Sequence, residues 1–417
     1  MFRAFFIFKL NVDVGDGAHD VPLMWICNLR GVEGAATYNS DISNGGEQAM
    51  CISEFDRSCM RIAIDLAKRG TGLTAPNPLV GAVIVKDGRI IAEGWHVRYG
   101  ELHAERHALA NCTESPAGAD MYVTLEPCCH HGKQPPCTEA VIEAGIKRIF
   151  VGSYDPNPLV SGKSGEILKA AGIEAHYEVM QEECDRLNPF FFHYMRHKMP
   201  YVICKYAMTA DGKIACCTGD SKWITGAEAR GNVQETRRAV SAIMVGIGTV
   251  LADDPSLLCH AENPVHPVRV VCDTNLRFPE SCQLADSTDE APVIVMTCSS
   301  DNEKISRLEA KGAEVCIVPE KDGHTDMEAV MKILAERGLT SVLVEGGAQL
   351  HASVIKAGLA QEVQVYIAPK LIGGDGLSPV GSLCTEKMCS APLMHSPEVQ
   401  LFGQDVLLTF KMNGDEA

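Results

Sequence analysis

Apolar residues first recur at helical spacing at Cys59, Ile62, Ala63 and Leu66, a stripe that stops at Gly70. The period then changes. Residues 82–85 and 90–92 are short apolar runs flanking Asp87-Gly88, a dipeptide suited to two-residue hairpins because both turn positions need positive φ. Further short strands are predicted over 121–125 and 148–152, alternating with helical stretches, so the first half predicts a layered α/β domain. Residues 182–197 read as one helix that carries Phe190, Phe191 and Phe192 and is closed by Met199-Pro200. We set the domain boundary there and read the aromatic run as interdomain packing. Seven strands follow, over 202–206, 242–245, 268–272, 293–296, 315–318, 341–344 and 363–367, several of them separated by helical stretches. This pattern licenses a second α/β sheet domain and nothing finer. The division is an extension over 1–50, expected to be disordered, a first domain over 51–198 and a second over 199–417.

The extension lacks such patterning. Ala4-Phe5-Phe6-Ile7-Phe8 is too short for a signal-peptide core, Lys9 follows it, and no small-residue cleavage site comes after. Nowhere does the chain approach the ~18 consecutive apolar residues of a membrane span. Residues 10–49 carry Gly, Asn and Asp without periodicity, and we hypothesise that translation begins at Met50. Native peptides from before Met50 would refute this.

Composition narrows the classes of partner. A chain of 417 residues exceeds one ordinary core, and a net charge of −17 argues against a nucleic-acid partner, which needs clustered Lys and Arg. Eighteen cysteines form no compact secreted framework. They fit a reducing, cytoplasmic setting in which most act as small apolar packing residues.

Four residues change the picture. His103, Cys128 and Cys137 supply one nitrogen and two sulfurs, and Glu105 adds a carboxylate. Three protein ligands leave one tetrahedral corner of zinc open for water, the arrangement of catalytic rather than structural sites. His103 and Glu105 stand at a helix opening, where side chains two apart point about 200° from one another. Both therefore converge on one metal only if it lies off the helix N-terminus, where the dipole also favours an anion. Pro135-Pro136 before Cys137 marks a second helix start, so two helix ends are expected to face one cation, which leaves Glu105 free to carry protons. Each ligand alone is commonly a packing residue. Together they approach the His-x-Glu and Pro-Cys-x-x-Cys signature of zinc deaminases, except that here the second Cys comes nine residues after the first.

In the second half, Gly246-Ile247-Gly248 lacks the third glycine of a dinucleotide fingerprint and fits a strand-end turn equally well. Glu345-Gly346-Gly347-Ala348 opens a helical stretch, where small residues let backbone N–H groups approach a phosphate, though a plain tight turn fits too.

The chain resembles the bifunctional riboflavin-biosynthesis family, in which a pyrimidine deaminase is fused to a pyrimidine reductase. The matching residues begin with Pro76-Asn77-Pro78-Leu79-Val80-Gly81, His103-Ala104-Glu105, Glu126-Pro127-Cys128-Cys129-His130-His131-Gly132-Lys133, Pro135-Pro136-Cys137 and Asp155-Pro156-Asn157-Pro158. Further on come Asp211-Gly212-Lys213, Trp223-Ile224-Thr225, Asp253-Asp254-Pro255, Glu345-Gly346-Gly347 and Ala368-Pro369-Lys370-Leu371. The resemblance runs from about residue 53 to the C-terminus.

It implies a cytidine-deaminase-like three-layer domain followed by a dihydrofolate-reductase-like α/β domain, with zinc and NADPH as cofactors. It also implies a phosphorylated pyrimidine substrate, no membrane and a homo-oligomeric state. Asn77 would orient the pyrimidine ring. Ala207, Trp223, Thr249, Asp253 and the run Gly347, Ala348, Gln349, Leu350, His351, Ala352 and Ser353 would contact NADPH. Ser221, Arg237, Leu257 and Glu345 would hold substrate, with Lys205 near the sugar. His260 stands where the family often has Arg for the substrate phosphate, and His is only partly charged near neutrality. Two rival readings are another zinc deaminase, acting on nucleosides or tRNA and carrying a C-terminal binding module, and a non-catalytic zinc scaffold. Net acidity weighs against the first and intact Glu105 against the second.

Overall fold

The computed structural model of the chain describes residues 52–131, 134–157 and 160–412; the expectations for residues 1–50, including disorder and a start at Met50, lie outside the described residues. Helix α1 (Glu54–Lys68) opens on a capping box in which Ser53 Oγ accepts from Asp56 N and the Asp56 carboxylate accepts from Ser53 N. Its buried face carries Cys59, Met60, Ala63, Ile64 and Leu66. Strands β1 (Gly81–Lys86) and β2 (Arg89–Trp95) form the expected hairpin, with φ of 50° at Asp87 and 72° at Gly88. A Cβ at Gly81 would stand 1.9 Å from the Ala63 carbonyl, so α1 and β1 meet at backbone distance.

The first sheet is completed by α2 (Ala104–Ala110), β3 (Asp120–Leu125), α3 (Cys137–Glu143), β4 (Arg148–Ser153), α4 (Lys163–Ala170) and β5 (Glu174–His176). Its order is β2-β1-β3-β4-β5, antiparallel through β1 and parallel from β3 to β5. Val83, Val85, Tyr122 and Phe150 face α1. Ile84, Met121, Val123 and Val151 face α2, α3 and α4. Helices on both faces make this half a three-layer domain.

The single helix predicted over 182–197 is two helices, α5 (Gln181–Asp185) and α6 (Pro189–His197). Pro189 lacks the N–H that would continue α5 and suits the first turn of a new helix. The intervening Asn188 accepts from Leu79 N and donates to Leu79 O, at 2.7 and 2.9 Å, and so pins the break to the loop before β1. Phe190 packs against Tyr201, Ile203, Val240 and Leu343 of the second half, and Tyr194 Oη donates to the Ala335 carbonyl. The aromatic helix thus packs on the second sheet, as expected.

That second half runs β6 (Tyr201–Thr209), α7 (Ala227–Ala239), β7 (Ala242–Gly246), α8 (Ile247–Asp253), β8 (Val268–Cys272), β9 (Val293–Thr297), α9 (Asn302–Glu309) and β10 (Glu314–Ile317). The short pair β11 (Glu320–Lys321) and β12 (His324–Thr325) follows, then α10 (Met327–Glu336), β13 (Ser341–Val344), α11 (Ala348–Lys356), β14 (Glu362–Ala368), β15 (His395–Phe402) and β16 (Asp405–Lys411). The sheet order is β10-β9-β8-β7-β13-β6-β14-β16-β15. Strands from β10 across to β14 are parallel, so their C-terminal ends share one edge. All seven predicted strands are present. The closing hairpin β15–β16 was not predicted, because β15 is exposed almost throughout and mixes Ser396, Pro397, Glu398 and Gln400 with its apolar residues.

Candidate active sites

His103 is the N-cap of α2, Cys137 is the first residue of α3, and Cys128 follows the exit of β3. The two helix starts therefore meet at one point, as the spacing implied. Arg106 holds them together by donating from Nε to the Pro135 carbonyl and from Nη2 to the Pro136 carbonyl, at 3.2 and 2.8 Å. His103 Nδ1 lies 3.5 Å from Cys128 Sγ and 3.4 Å from Cys137 Sγ. Tetrahedral zinc bonds of usual length put nitrogen and sulfur ligands about 3.6 Å apart, so this donor set fits zinc. Among the described residues the group has these three members, all within 4.8 Å of one another.

The electrostatics favour one thiolate in the cysteine pair. The hydrogen bond with Cys137 lowers the Cys128 thiol to about 4, against burial and with help from His103. That same bond, together with burial, pushes Cys137 up, so the pair readily holds one negative charge. Glu105 is 3% exposed, and burial raises its carboxyl above the usual range, as befits a group that carries a proton.

A pocket of about 170 Å³ opens onto His103 and Cys128 and is also lined by Asn77, Tyr99, His130 and Gln134. Asn77 Nδ2 lies 3.2 Å from His96 Nε2, and His96 Nδ1 lies 3.0 Å from the Leu102 carbonyl. With the proton on Nδ1, His96 accepts from the Asn77 amide and leaves Asn77 Oδ1 available as an acceptor. His130 Nδ1 is buried with no partner among the described residues. His131 is exposed and lies 3.9 Å from Glu139.

A larger cavity of about 810 Å³ lies along the C-terminal edge of the second sheet, within the usual range for cofactor sites. It is lined by Lys205, Ala207, Ser221, Thr249, Asp253, Glu345, Gly347, Ala348, Gln349, Leu350, His351 and Ser353. The other residues named by resemblance are not among its lining residues. Ala352 and Leu257 are buried, Leu257 in the apolar cluster with Ile247 and Val250. Trp223 is 64% exposed, with the Arg230 guanidinium 4.4 Å from its ring centre. His260 is exposed and donates its backbone N–H to Gln234. Arg237 donates from Nε and Nη2 to the two Glu345 oxygens at 2.9 and 2.8 Å, and from Nη1 to the Leu258 carbonyl. It therefore sets Glu345 at the cavity. Burial depresses the Lys205 amine; Glu345 opposes that shift and Arg237 adds to it.

The glycines fit a phosphate-bearing cofactor. Gly347 has φ of 88°, and a Cβ on Gly346 would meet Thr249 Oγ1 at 3.0 Å, so the backbone opening α11 stays bare. The cavity also takes in Thr274, Asn275, Arg277 and His324, which the sequence reading passed over. No periodicity marks them. They reach the cavity only through the strand order.

Comparison with known proteins finds matches to both halves of the chain. Residues 53–153 match the cytidine and deoxycytidylate deaminase zinc-binding region, and residues 200–408 match the RibD C-terminal domain. The riboflavin biosynthesis protein RibD of Actinobacillus pleuropneumoniae is 48% identical over 356 residues, covering 85% of this chain and 95% of the relative. That of Escherichia coli is 39% identical, covering 85% and 98%. Among solved structures, a diaminohydroxyphosphoribosylaminopyrimidine deaminase/5-amino-6-(5-phosphoribosylamino)uracil reductase from Thermotoga maritima superposes with a TM-score of 0.78 at 39% identity, covering 86% of this chain and 99% of that one. The order of the two domains, the shared sequence and the common fold make this chain a member of the riboflavin biosynthesis protein RibD family.

Proposed function

We propose that the chain performs two consecutive steps of riboflavin biosynthesis, one in each half. The first is hydrolytic deamination of 2,5-diamino-6-(5-phosphoribosylamino)pyrimidin-4(3H)-one, and the second is reduction of the ribosyl group of 5-amino-6-(5-phosphoribosylamino)uracil to ribityl. His103, Cys128 and Cys137 would hold zinc, which when bound would supply a water acidic near neutral pH. Glu105 would take one proton from that water and pass it to the ring nitrogen as the oxygen bonds to the carbon bearing the 2-amino group, then carry the oxygen's second proton to the amine, whose C–N bond breaks as the carbonyl forms and ammonia departs. Such acid–base help is typically worth 10²- to 10⁴-fold. Asn77, with Oδ1 turned outward, orients the ring by accepting a hydrogen bond.

In the second half NADPH, when bound, would supply a hydride to the ribose C1′. A cationic imine at C1′, formed as the attached nitrogen opens the sugar, needs no strong external acid, so the protein's task is to set distance and angle. Glu345, oriented by Arg237, holds substrate beside Lys205, and the Gly346-Gly347 backbone receives cofactor phosphate. Ser221, Leu257 and His260 are further substrate contacts, with His260 a weaker phosphate partner than Arg. Ala207, Trp223, Thr249, Asp253 and the stretch from Gly347 to Ser353 contact NADPH.

We divide the chain into a deaminase domain over 51–198 and a reductase domain over 199–417. A cytoplasmic homo-oligomer is our reading. No helix among the described residues is long and apolar enough to cross a membrane. The exposed Leu371, Met388, Leu393, Val399 and Leu401 support self-association.

The observation that carries the deaminase reading is a nitrogen 3.4 and 3.5 Å from two sulfurs, all three within 4.8 Å of one another, beside a buried carboxyl. The test is a coupled assay on purified protein that follows ammonia and NADPH separately. Glu105→Gln should retain zinc and lose ammonia release while still oxidising NADPH with added uracil intermediate. Joint loss of both activities would sink the two-site reading.

A further inference from the structure

The segment that carries Asn77 is held at both of its ends by elements outside the first sheet. At its start Gly72 has φ of 79°, and a Cβ there would run into the Arg238 carbonyl oxygen and stand 3.3 Å from Val265 Cβ. Only a residue without a side chain lets the two backbones approach so closely. Arg238 lies in the last turn of α7, whose Ala229 and Val233 pack on Tyr366 and Leu407 of the second sheet. At the other end Leu79 exchanges two hydrogen bonds with the Asn188 side chain, at 2.7 and 2.9 Å, and Asn188 is 4% exposed. Asn188 immediately precedes α6, the helix that Phe190 and Tyr194 fasten to Tyr201, Leu343 and the Ala335 carbonyl.

Between these anchors the chain has little freedom. Leu73 N donates to the Gly70 carbonyl, Tyr99 N to the Leu73 carbonyl and Asn77 N to the Thr74 carbonyl. Pro76 and Pro78 flank Asn77, and a proline ring fixes φ near about −65°. A stiff span tied at both ends passes a shift of either end to its middle. His96 orients the Asn77 amide at 3.2 Å but does not fix the backbone that carries it. The zinc donors lie off this segment: His103, Cys128 and Cys137 are placed by α2, the exit of β3 and α3. Metal binding and ring orientation thus have separate supports.

We infer that Gly72 and Asn188 are positioning residues for deamination: through them, elements packed on the second sheet hold the 72–79 segment and set Asn77 against the pyrimidine ring. The inference deepens the deaminase reading proposed above and rests on it. Orientation is where a small displacement matters most, since a misplacement of about 1 Å costs on the order of 10²-fold in rate. Deamination therefore depends on the second half of the chain through these contacts, although the described lining of the pocket of about 170 Å³ comes from the first half alone.

The test is steady-state ammonia release by the full, zinc-loaded chain, with bound zinc measured alongside. Asn188→Ala and Gly72→Ala should each lower kcat/KM for the diaminopyrimidinone substrate by about 10- to 100-fold, mainly through KM, and keep the wild-type zinc content. NADPH oxidation with added uracil intermediate should stay within about twofold in Asn188→Ala, which reports that the chain is folded; if it is lost, Gly72→Ala carries the same test. Asn77→Ala should produce a loss of similar size, and adding Asn188→Ala or Gly72→Ala to it should cost less than about twofold more, because the anchors act through Asn77. An unchanged KM in a folded anchor variant overturns the inference alone, as does a full additional loss in the double variants. Loss of zinc together with ammonia release also overturns it, since the anchors would then serve the metal site. Wild-type KM in Asn77→Ala removes the role given to Asn77 and the inference with it, and wild-type protein that releases no ammonia overturns the deaminase reading as well.

Discussion

Replacing Glu345 by Gln removes the charge from a pair whose side chains, Arg237 and Glu345, are 15% and 7% exposed. Both carboxylate oxygens are engaged, at 2.9 and 2.8 Å, and after the change Arg237 retains the Leu258 carbonyl and at most one acceptor from the amide. Breaking a buried pair from one side costs about 3–5 kcal/mol, because the remaining charge stays desolvated. The amide oxygen still accepts one bond, so about 3 kcal/mol is expected here. Burial works against the Glu345 carboxylate, but Arg237 and Lys205 more than offset it and hold its pKa below the usual value. A depressed acid contributes stability that is complete above the unfolded pKa, near 4.3, and fades as pH falls through the folded value. The wild type should therefore lose stability on acidification below about pH 4 along a limb that the Gln variant lacks. Denaturant melts at pH 7 and pH 3 measure both quantities, while NADPH oxidation should fall and ammonia release persist. Pairing Arg237→Met with Glu345→Leu should recover most of the lost stability but no reduction. A cost below about 1 kcal/mol for Glu345→Gln, the value of an exposed pair, would refute this reasoning.

Two further substitutions probe other points. Burial raises the Asp155 carboxyl to about 6, against the hydrogen bond from Asn157 N. A raised acid supports the fold at low pH and loses that support as pH climbs from the unfolded value near 4 toward 6, so Asp155→Asn should stabilise the protein at pH 7–8 by about 1–3 kcal/mol. Thermal melts across that range check the sign, and a destabilised variant at pH 8 would contradict it. Gly347→Ala forces a side chain onto φ of 88°, so it should cost about 1–2 kcal/mol and raise the Michaelis constant for NADPH, read by steady-state kinetics with deamination as the internal control.

What the sequence disclosed was local. The Asp87-Gly88 turn, the helix starts at His103 and Cys137 and the seven apolar strands each depend on residues close in the chain. The Pro189 break was present in the sequence but was overridden by the apolar run on either side of it. The β15–β16 hairpin carries little apolar signal because its outer strand is exposed. Longer-range features left no mark at all. Arg237 and Glu345 are joined across 108 positions, and Asn188 reaches back to Leu79. Resemblance supplied twelve of the cavity residues but not Arg277, whose place follows from the order of the strands.

Strand order also dictates when each half can take shape during synthesis. The first sheet is complete once His176 has emerged, since each of its strands lies beside a partner made shortly before or after it. The second sheet begins with an interior strand. Residues 201–209 find both neighbours only when 341–368 appear, so Val202, Ile203 and Cys204 stay uncovered while the ribosome adds more than a hundred residues. Distant pairing of this kind slows folding and leaves apolar edges open to wrong partners. A nascent chain halted near residue 300 should therefore carry a folded N-terminal half and a reductase segment that depends on chaperones.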